Sequence, residues 1–241
     1  MEIEGPVEGA RIIRERVAEL RAGIDAAARA VGRDPESIAL MAVSKFHDAG
    51  AVRAAHGAGL RLFGENRVQE AMGKFGPELR ALPDLCVHMI GSLQSNKAAK
   101  AADFFDGIQS VHSIELLDRL VARSAGRALP LELYFEVHTA EDSKSGFRDM
   151  DELSAACERW QENPGRTILR GLMTMAPFTA DERVQRASFS RLRELRDRLS
   201  TRFGIPGLTG LSMGMSNDYL SAVKEGSTML RIGTLIFGSR N

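Results

Sequence analysis

Apolar and polar positions along this chain alternate between two periods. From Val7 to Val31, Ile12, Ile13, Val17, Leu20 and Ile24 recur at helical spacing with Arg and Glu between them, which predicts a long amphipathic helix stopped by Gly32. Asp34-Pro35 prevents its resumption, and Ile38–Val43 reads as a buried strand. The same exchange repeats toward the C-terminus. Strand-like runs follow at 61–63, 85–90, 107–111, 131–137, 167–172, 210–213 and 229–232. Helical segments separate them at 49–58, 68–79, 97–102, 114–124, 150–160, 181–203 and 217–224.

Eight strand candidates separated by helices imply a parallel sheet, and right-handed crossovers let eight such units close into a TIM (β/α)8 barrel. The 241 residues suit one such α/β domain over 1–241, with the first helix as an N-terminal addition and little left for a second domain. A doubly wound open sheet is the alternative. It calls for GxGxxG after an early strand, and the chain has no such sequence there.

Composition narrows the function classes. Thirty-two basic residues balance thirty-two acidic ones, so no broad field favours nucleic acid or an anionic membrane. No apolar run is long enough to span a bilayer, and the first residues carry neither a basic start nor an apolar signal core. The expectation is a soluble, cytoplasmic protein. Cys86 and Cys157 read as buried free thiols, not as a disulfide framework.

Short polar motifs fall just after the strand-like runs, where a parallel barrel gathers them around one pocket. Lys45 follows the run 38–44 and would emerge at the barrel mouth. Partial desolvation there disfavours an ammonium and frees the amine to attack an aldehyde, although an ordinary solvated lysine also fits the position. In Ser212–Asp218, Gly214 permits a tight path, and Ser216 or Asn217 can cap the next helix. Such a start suits a phosphate, or is a plain cap. Arg231 closes the last strand as a fixed cation in the pocket or as a structural arginine bridging carbonyls. Behind it, Gly233 lets a ligand approach and Thr234 adds a hydroxyl and an N–H. His88, His112 and His138 lie near three strand ends but lack a paired metal-ligand spacing, so no metal is assigned. Met173, Met175, Met213 and Met215 read as packing.

Taken together, these stretches resemble the pyridoxal phosphate homeostasis proteins, a family similar to the N-terminal domain of alanine racemase. The resembling pieces are AVSK at Ala42–Lys45, FGENRVQE at Phe63–Glu70, HMIGSLQSNK at His88–Lys97 and SVHS at Ser110–Ser113. They continue with SKSGF at Ser143–Phe147, GLMTMAP at Gly171–Pro177, LSMGMSNDY at Leu211–Tyr219 and RIGTLIFG at Arg231–Gly238. The resemblance implies a fold-type-III barrel that binds pyridoxal 5′-phosphate (PLP) as a Schiff base on Lys45. It places Arg231 against the pyridine nitrogen, and Ser216 with the backbone of Gly233 and Thr234 on the phosphate. Asn66 and Met213 would line the ring pocket, with His88 nearby. One departure stands out: His138 occupies the position where the family usually has Asn, and that role is not carried over.

A carboxylate at the pyridine nitrogen would keep it protonated and make the ring a strong electron sink, whereas arginine cannot accept a proton. Racemases with the same lysine and arginine add a tyrosine from a second domain, for which this chain has little length left. The reading is therefore a non-enzymatic PLP carrier in vitamin B6 homeostasis, monomeric, delivering cofactor to apo-enzymes. Lys97 and Lys144, in motif loops, are candidates to assist release, and ordinary solvated lysines explain them as well. The alternatives are a fold-type-III racemase or decarboxylase, or a phosphate-binding barrel without cofactor.

Overall fold

The computed structural model describes residues 6–139 and 145–239. Its first element, α1 (Pro6–Ala30), buries Ile13, Val17, Leu20, Ile24 and Ala28 along one face and leaves its charged residues outside. Gly32 takes a φ of 69°, the left-handed conformation that ends the helix. Eight parallel strands follow, each next to its sequence neighbour, and β8 pairs back onto β1 to close the barrel.

The repeating units are β1 (Ala39–Val43), α2 (Ala49–Gly57), β2 (Leu62–Glu65), α3 (Val68–Lys74), α4 (Pro77–Arg80) and β3 (Cys86–Met89). Next come α5 (Ala98–Phe104), β4 (Gly107–Val111), α6 (Ile114–Ser124), β5 (Leu131–Glu136), α7 (Met150–Glu162) and β6 (Thr167–Met173). The last are α8 (Glu182–Phe203), β7 (Gly210–Ser212), α9 (Tyr219–Lys224), β8 (Met229–Ile232) and α10 (Thr234–Phe237). The expected TIM (β/α)8 barrel with an added N-terminal helix is the fold observed.

Local chemistry explains where elements depart from the periodicity. The helix expected over 68–79 is divided, because Pro77 lacks an N–H and holds Gly76 in an extended conformation. The helix expected from Asn217 begins at Tyr219, with Asp218 at its N-cap; Ser216 and Asn217 lie before the cap. Strand β2 runs on to Glu65, a charged residue that the apolar pattern excludes. Cys86, expected to be buried, is exposed at the first position of β3, whereas Cys157 is buried in α7.

Two apolar regions result. The larger fills the layer between strands and helices, with Phe63, Phe75, Phe105, Phe135 and Phe189 wholly buried. The smaller lies inside the barrel and consists of Met41, Tyr134, Met173 and Met229, joined by Leu62 and Ile90. The final βα unit ends in a helix of only four residues, Thr234–Phe237. Helix α1 packs against α2, α9 and α10, completing the outer ring where that unit is short. Arg33 ties the turn after α1 to this side by donating to Val223 O at 2.8 Å and Ser227 O at 2.7 Å.

Candidate functional site

The ends of β7, β8, β1 and β2 form a contiguous arc of the barrel mouth. Along it lie Ser216, then Arg231 with Gly233 and Thr234, then Lys45, then Asn66. Register fixes their relation: Arg231 pairs with Met41, Ile232 with Ala42, and Val43 with Gly64. Lys45 therefore leaves β1 between the strand carrying Arg231 and the strand that leads into Asn66.

Lys45 is half-buried on a tightly held turn. Ser44 N–H donates to Gly64 O at 3.1 Å, continuing the sheet, and Phe46 then turns to a φ of 68°, unusual for a non-glycine residue. Helix α3 grips both flanks of Lys45. Lys74 Nζ donates to Ser44 O at 2.7 Å, and Phe46 N–H donates to Glu70 Oε1 at 2.7 Å. Under the turn, Glu65 Oε1 accepts from Ser44 Oγ at 2.6 Å and from Lys74 Nζ at 2.8 Å. Burial pushes the Glu65 carboxyl upward, and its bonds to Lys74 and Ser44 offset only part of that. His47 stacks on Phe237 with ring centroids 4.6 Å apart, joining this turn to α10.

Arg231 is buried, and its side chain points across the interior. Nη1 donates to Ser212 O at 2.6 Å and to Ser212 Oγ at 2.7 Å, while Nη2 donates to Thr174 O at 2.7 Å. It is thus both a cation inside the barrel and a bridge between carbonyls. Burial lowers its pKa to about 10, with Asp218 and Glu136 pulling the other way, so it remains charged at neutral pH.

The turns after β7 and β8 interlock. Arg231 N–H donates to Gly214 O at 2.9 Å, and Asp218 Oδ1 accepts from Met215 N–H at 2.5 Å. Gly214 has a φ of 99°, and a Cβ there would lie 2.5 Å from Ala222 Cβ. A cavity of about 680 Å³ opens beside this turn, lined by Phe178, Gln185, Ser216, Asn217, Asp218 and Lys224. It shares Ser216 with the arc but contains neither Lys45 nor Arg231.

Two predicted residues keep their side chains away from the rim. Met213 is wholly buried in the layer between strands and helices and exposes no surface to a pocket, so its side chain is packing. His88 lies inside the barrel against Gln109. Lys144 lies outside the described residues. Among the described residues, no group of three metal-ligating side chains occurs. The sequence reading missed Glu65, Lys74 and Glu136. The available signal was a carboxylate closing an apolar run, at Leu62–Glu65 and again at Leu131–Glu136.

The residues present fit PLP, whose phosphate and ring atoms call for a cation, N–H donors and close backbone. Arg231 supplies the buried cation. A Cβ on Gly233 would lie 3.3 Å from Val43 O, so the turn after β8 runs close against the strand leading into Lys45. Around the rim, Glu136 Oε2 and His138 Nε2 are buried without a hydrogen-bond partner, polar groups of the kind that a bound ligand satisfies. Glu136 Oε1 accepts from Ser145 Oγ at 2.9 Å, which draws the described end of SKSGF to this rim.

A closed parallel barrel with an amine, a buried guanidinium and glycine-bearing turns on adjacent strand ends is a barrel built for a small anionic ligand. The chain belongs to the family described as "Alanine racemase, N-terminal domain", whose model matches residues 16–241. It is 45% identical over 230 residues to the pyridoxal phosphate homeostasis protein of Pseudomonas aeruginosa, covering 95% of this chain and 96% of that one. The Escherichia coli K12 protein of the same name is 40% identical over 238 residues, with 95% and 97% covered. PipY of Synechococcus elongatus, solved with PLP bound, superposes with a TM-score of 0.82 at 41% identity, covering 94% of this chain and all of that one. The alanine racemase of Oenococcus oeni, at 17% identity and a TM-score of 0.68, shares the fold; the match covers 62% of its chain.

Proposed function

We propose that this chain, as one barrel domain, binds pyridoxal 5′-phosphate at the C-terminal ends of its strands and serves in homeostasis of that cofactor. It holds PLP and does not turn over substrate. The observation that carries the reading is the pairing of β8 with β1, which sets the buried Arg231 beside the strand leading into Lys45. The relatives named for PLP homeostasis, and the PLP-bound PipY structure, support the choice of ligand.

Lys45 would hold the aldehyde carbon. Ser216 and the N–H groups of Gly233 and Thr234 would hold the phosphate, Arg231 would meet the pyridine nitrogen, and Asn66 and the Met213 backbone would border the ring. When bound, PLP supplies an aldehyde for covalent attachment and a ring that takes up electrons best when its nitrogen is protonated. Arg231 offers donors only, so it hydrogen-bonds that nitrogen without serving as the acid–base partner that a carboxylate would be. Ser212 and Thr174 fix the guanidinium's direction. Lys74 and Glu70 fix the backbone on either side of Lys45. These residues make a quiet seat that limits free aldehyde. Hand-over to an acceptor lysine of an apo-enzyme, a monomeric state and a cytoplasmic location complete the reading. Among the described residues no helix is long and apolar enough to cross a membrane.

The test is borohydride reduction of protein loaded with PLP, followed by peptide mapping. The label is expected on Lys45, and Lys45→Ala is expected to lose the absorption band of the bound cofactor. Label on another residue, or turnover of an amino acid at about one per second or faster, would overturn the reading.

A further inference from the structure

Arg231 ends a file of buried polar side chains that crosses the barrel interior. Ser212 Oγ lies 2.6 Å from Gln109 Oε1, and Gln109 Nε2 lies 3.2 Å from His88 Nδ1 and 3.0 Å from Met229 Sδ. His88 Nε2 is 3.8 Å from Glu132 Oε2, whose other oxygen accepts from Arg170 Nε at 2.8 Å. Arg231, Ser212, Gln109 and His88 are all buried, and they come from β8, β7, β4 and β3. Gly107 leaves the imidazole its place, since a Cβ there would lie 2.6 Å from His88 Cε1.

Donor and acceptor rules orient every member. Arginine only donates, so Ser212 Oγ accepts from Nη1 and has one hydrogen to give. Gln109 Oε1 receives it, which turns the Gln109 amide nitrogen toward His88. The bare nitrogen of His88 must then be Nδ1, with the hydrogen on Nε2, facing Glu132. Each link removes a freedom from the next, and the guanidinium is the last link.

We propose that Gln109 and His88 are positioning residues that hold the Arg231 guanidinium, through Ser212, in the orientation that meets the pyridine ring. This rests on the assignment of Arg231 to that ring, so the test has one arm that needs no cofactor. In the apo-protein, ¹⁵N NMR of the His88 ring is expected to show the Nε2–H tautomer, and Gln109→Met is expected to change that signal. An Nδ1–H tautomer in the wild type would overturn the proposal whether or not PLP binds.

The second arm titrates wild type, His88→Leu, His88→Asn and Gln109→Met with PLP, following affinity and the absorption band. His88→Leu and Gln109→Met are expected to weaken binding about tenfold, the scale of one lost buried hydrogen bond, and to shift the band. His88→Asn, which keeps an acceptor close to the Nδ1 position, is expected to recover most of both. Unchanged affinity and band in all three variants would overturn the proposal. Failure of the wild type to bind PLP would instead sink the function proposed above, and the His88 tautomer alone would then decide whether the file is ordered as described.

Discussion

The Lys74 ammonium lies 2.8 Å from Glu65 Oε1, and the two side chains are 7% and 0% exposed. A buried ion pair inside a helix–strand contact is a costly thing to keep for stability alone. Here the same ammonium also donates to Ser44 O, one residue before Lys45. The pair therefore holds the turn that presents the candidate cofactor lysine.

Lys74→Met leaves Glu65 buried with its ionic partner gone. The expected loss is about 3–5 kcal/mol, the cost of breaking such a pair from one side. Adding Glu65→Gln should restore a large part of it, because the amide still accepts from Ser44 and carries no charge. Urea unfolding of the two single variants and the double variant measures the coupling; strict additivity would show that the pair does not act as a unit.

Two buried groups give the stability curve opposing slopes. The folded-state pKa of Glu65 is raised above 4.5 by burial, so its contribution is full below 4.5 and is lost as pH rises through the folded value. His88 is lowered below 6.5 by burial, so its contribution is full above 6.5 and is lost as pH falls through its folded value. Glu65→Gln should remove the decline above 4.5 and steepen the rise toward 6.5, whereas His88→Asn should flatten that rise. Unfolding free energies between pH 4 and 8 decide; a Glu65→Gln curve parallel to the wild type would contradict the assignment.

The barrel was legible because its order follows from a repeat, and each strand-like run is bounded by a helix-like one. The arc of Ser216, Arg231, Gly233, Thr234, Lys45 and Asn66 was legible for a related reason: closure makes β8 and β1 neighbours, so the first and last motifs meet. What stayed hidden depends on side-chain direction inside the barrel. Gln109 and Ser212 are ordinary polar residues in short strands, and only register turns them toward Arg231. The direction of the Met213 side chain was hidden for the same reason: Ser212 turns inward to Arg231, so the residue after it packs into the larger apolar layer. Glu65 was missed since apolar periodicity has no way to mark a charged residue whose partner, Lys74, arrives from the following helix.

Helix α1 fills the place that the four-residue α10 leaves in the outer ring. Leu20 sits mid-face and is 4% exposed. Leu20→Ala should cost about 2–5 kcal/mol, as for other buried leucines. The loosened contact with α9 and α10 should also weaken PLP binding, since those helices follow the Ser216 and Thr234 turns. Calorimetry and a PLP titration test both; a full stability loss with unchanged affinity would separate α1 from the site.

The two thiols should differ sharply in reactivity. Cys86 is exposed at the start of β3, although partial burial and nearby Asp106 and Glu132 raise its pKa. Cys157 is wholly buried, and burial pushes it up to about 12. An aromatic disulfide reagent should modify Cys86 in the native protein, slowly at neutral pH because the thiolate is scarce. Cys157 should react only on unfolding. Modification of both at one rate would contradict this packing.

The turn after β7 can be probed with two glycines that share one backbone conformation and differ in surroundings. Gly214 has a φ of 99° and Gly226 a φ of 97°. A Cβ at Gly226 would meet only Arg193 Cδ at 3.5 Å, a flexible chain, whereas at Gly214 it would meet Ala222 Cβ at 2.5 Å and Leu230 Cδ2 at 2.7 Å. Gly226→Ala therefore isolates the left-handed strain, about 1–2 kcal/mol, and should leave PLP affinity unchanged. Gly214→Ala adds a clash between α9 and β8. It must move the carbonyl that accepts from Arg231 N–H, and with it the approach to Ser216. The expected result is a larger loss of stability together with weaker PLP binding. Equal effects of the two substitutions on affinity would show that the Gly214 turn does not shape the cofactor site.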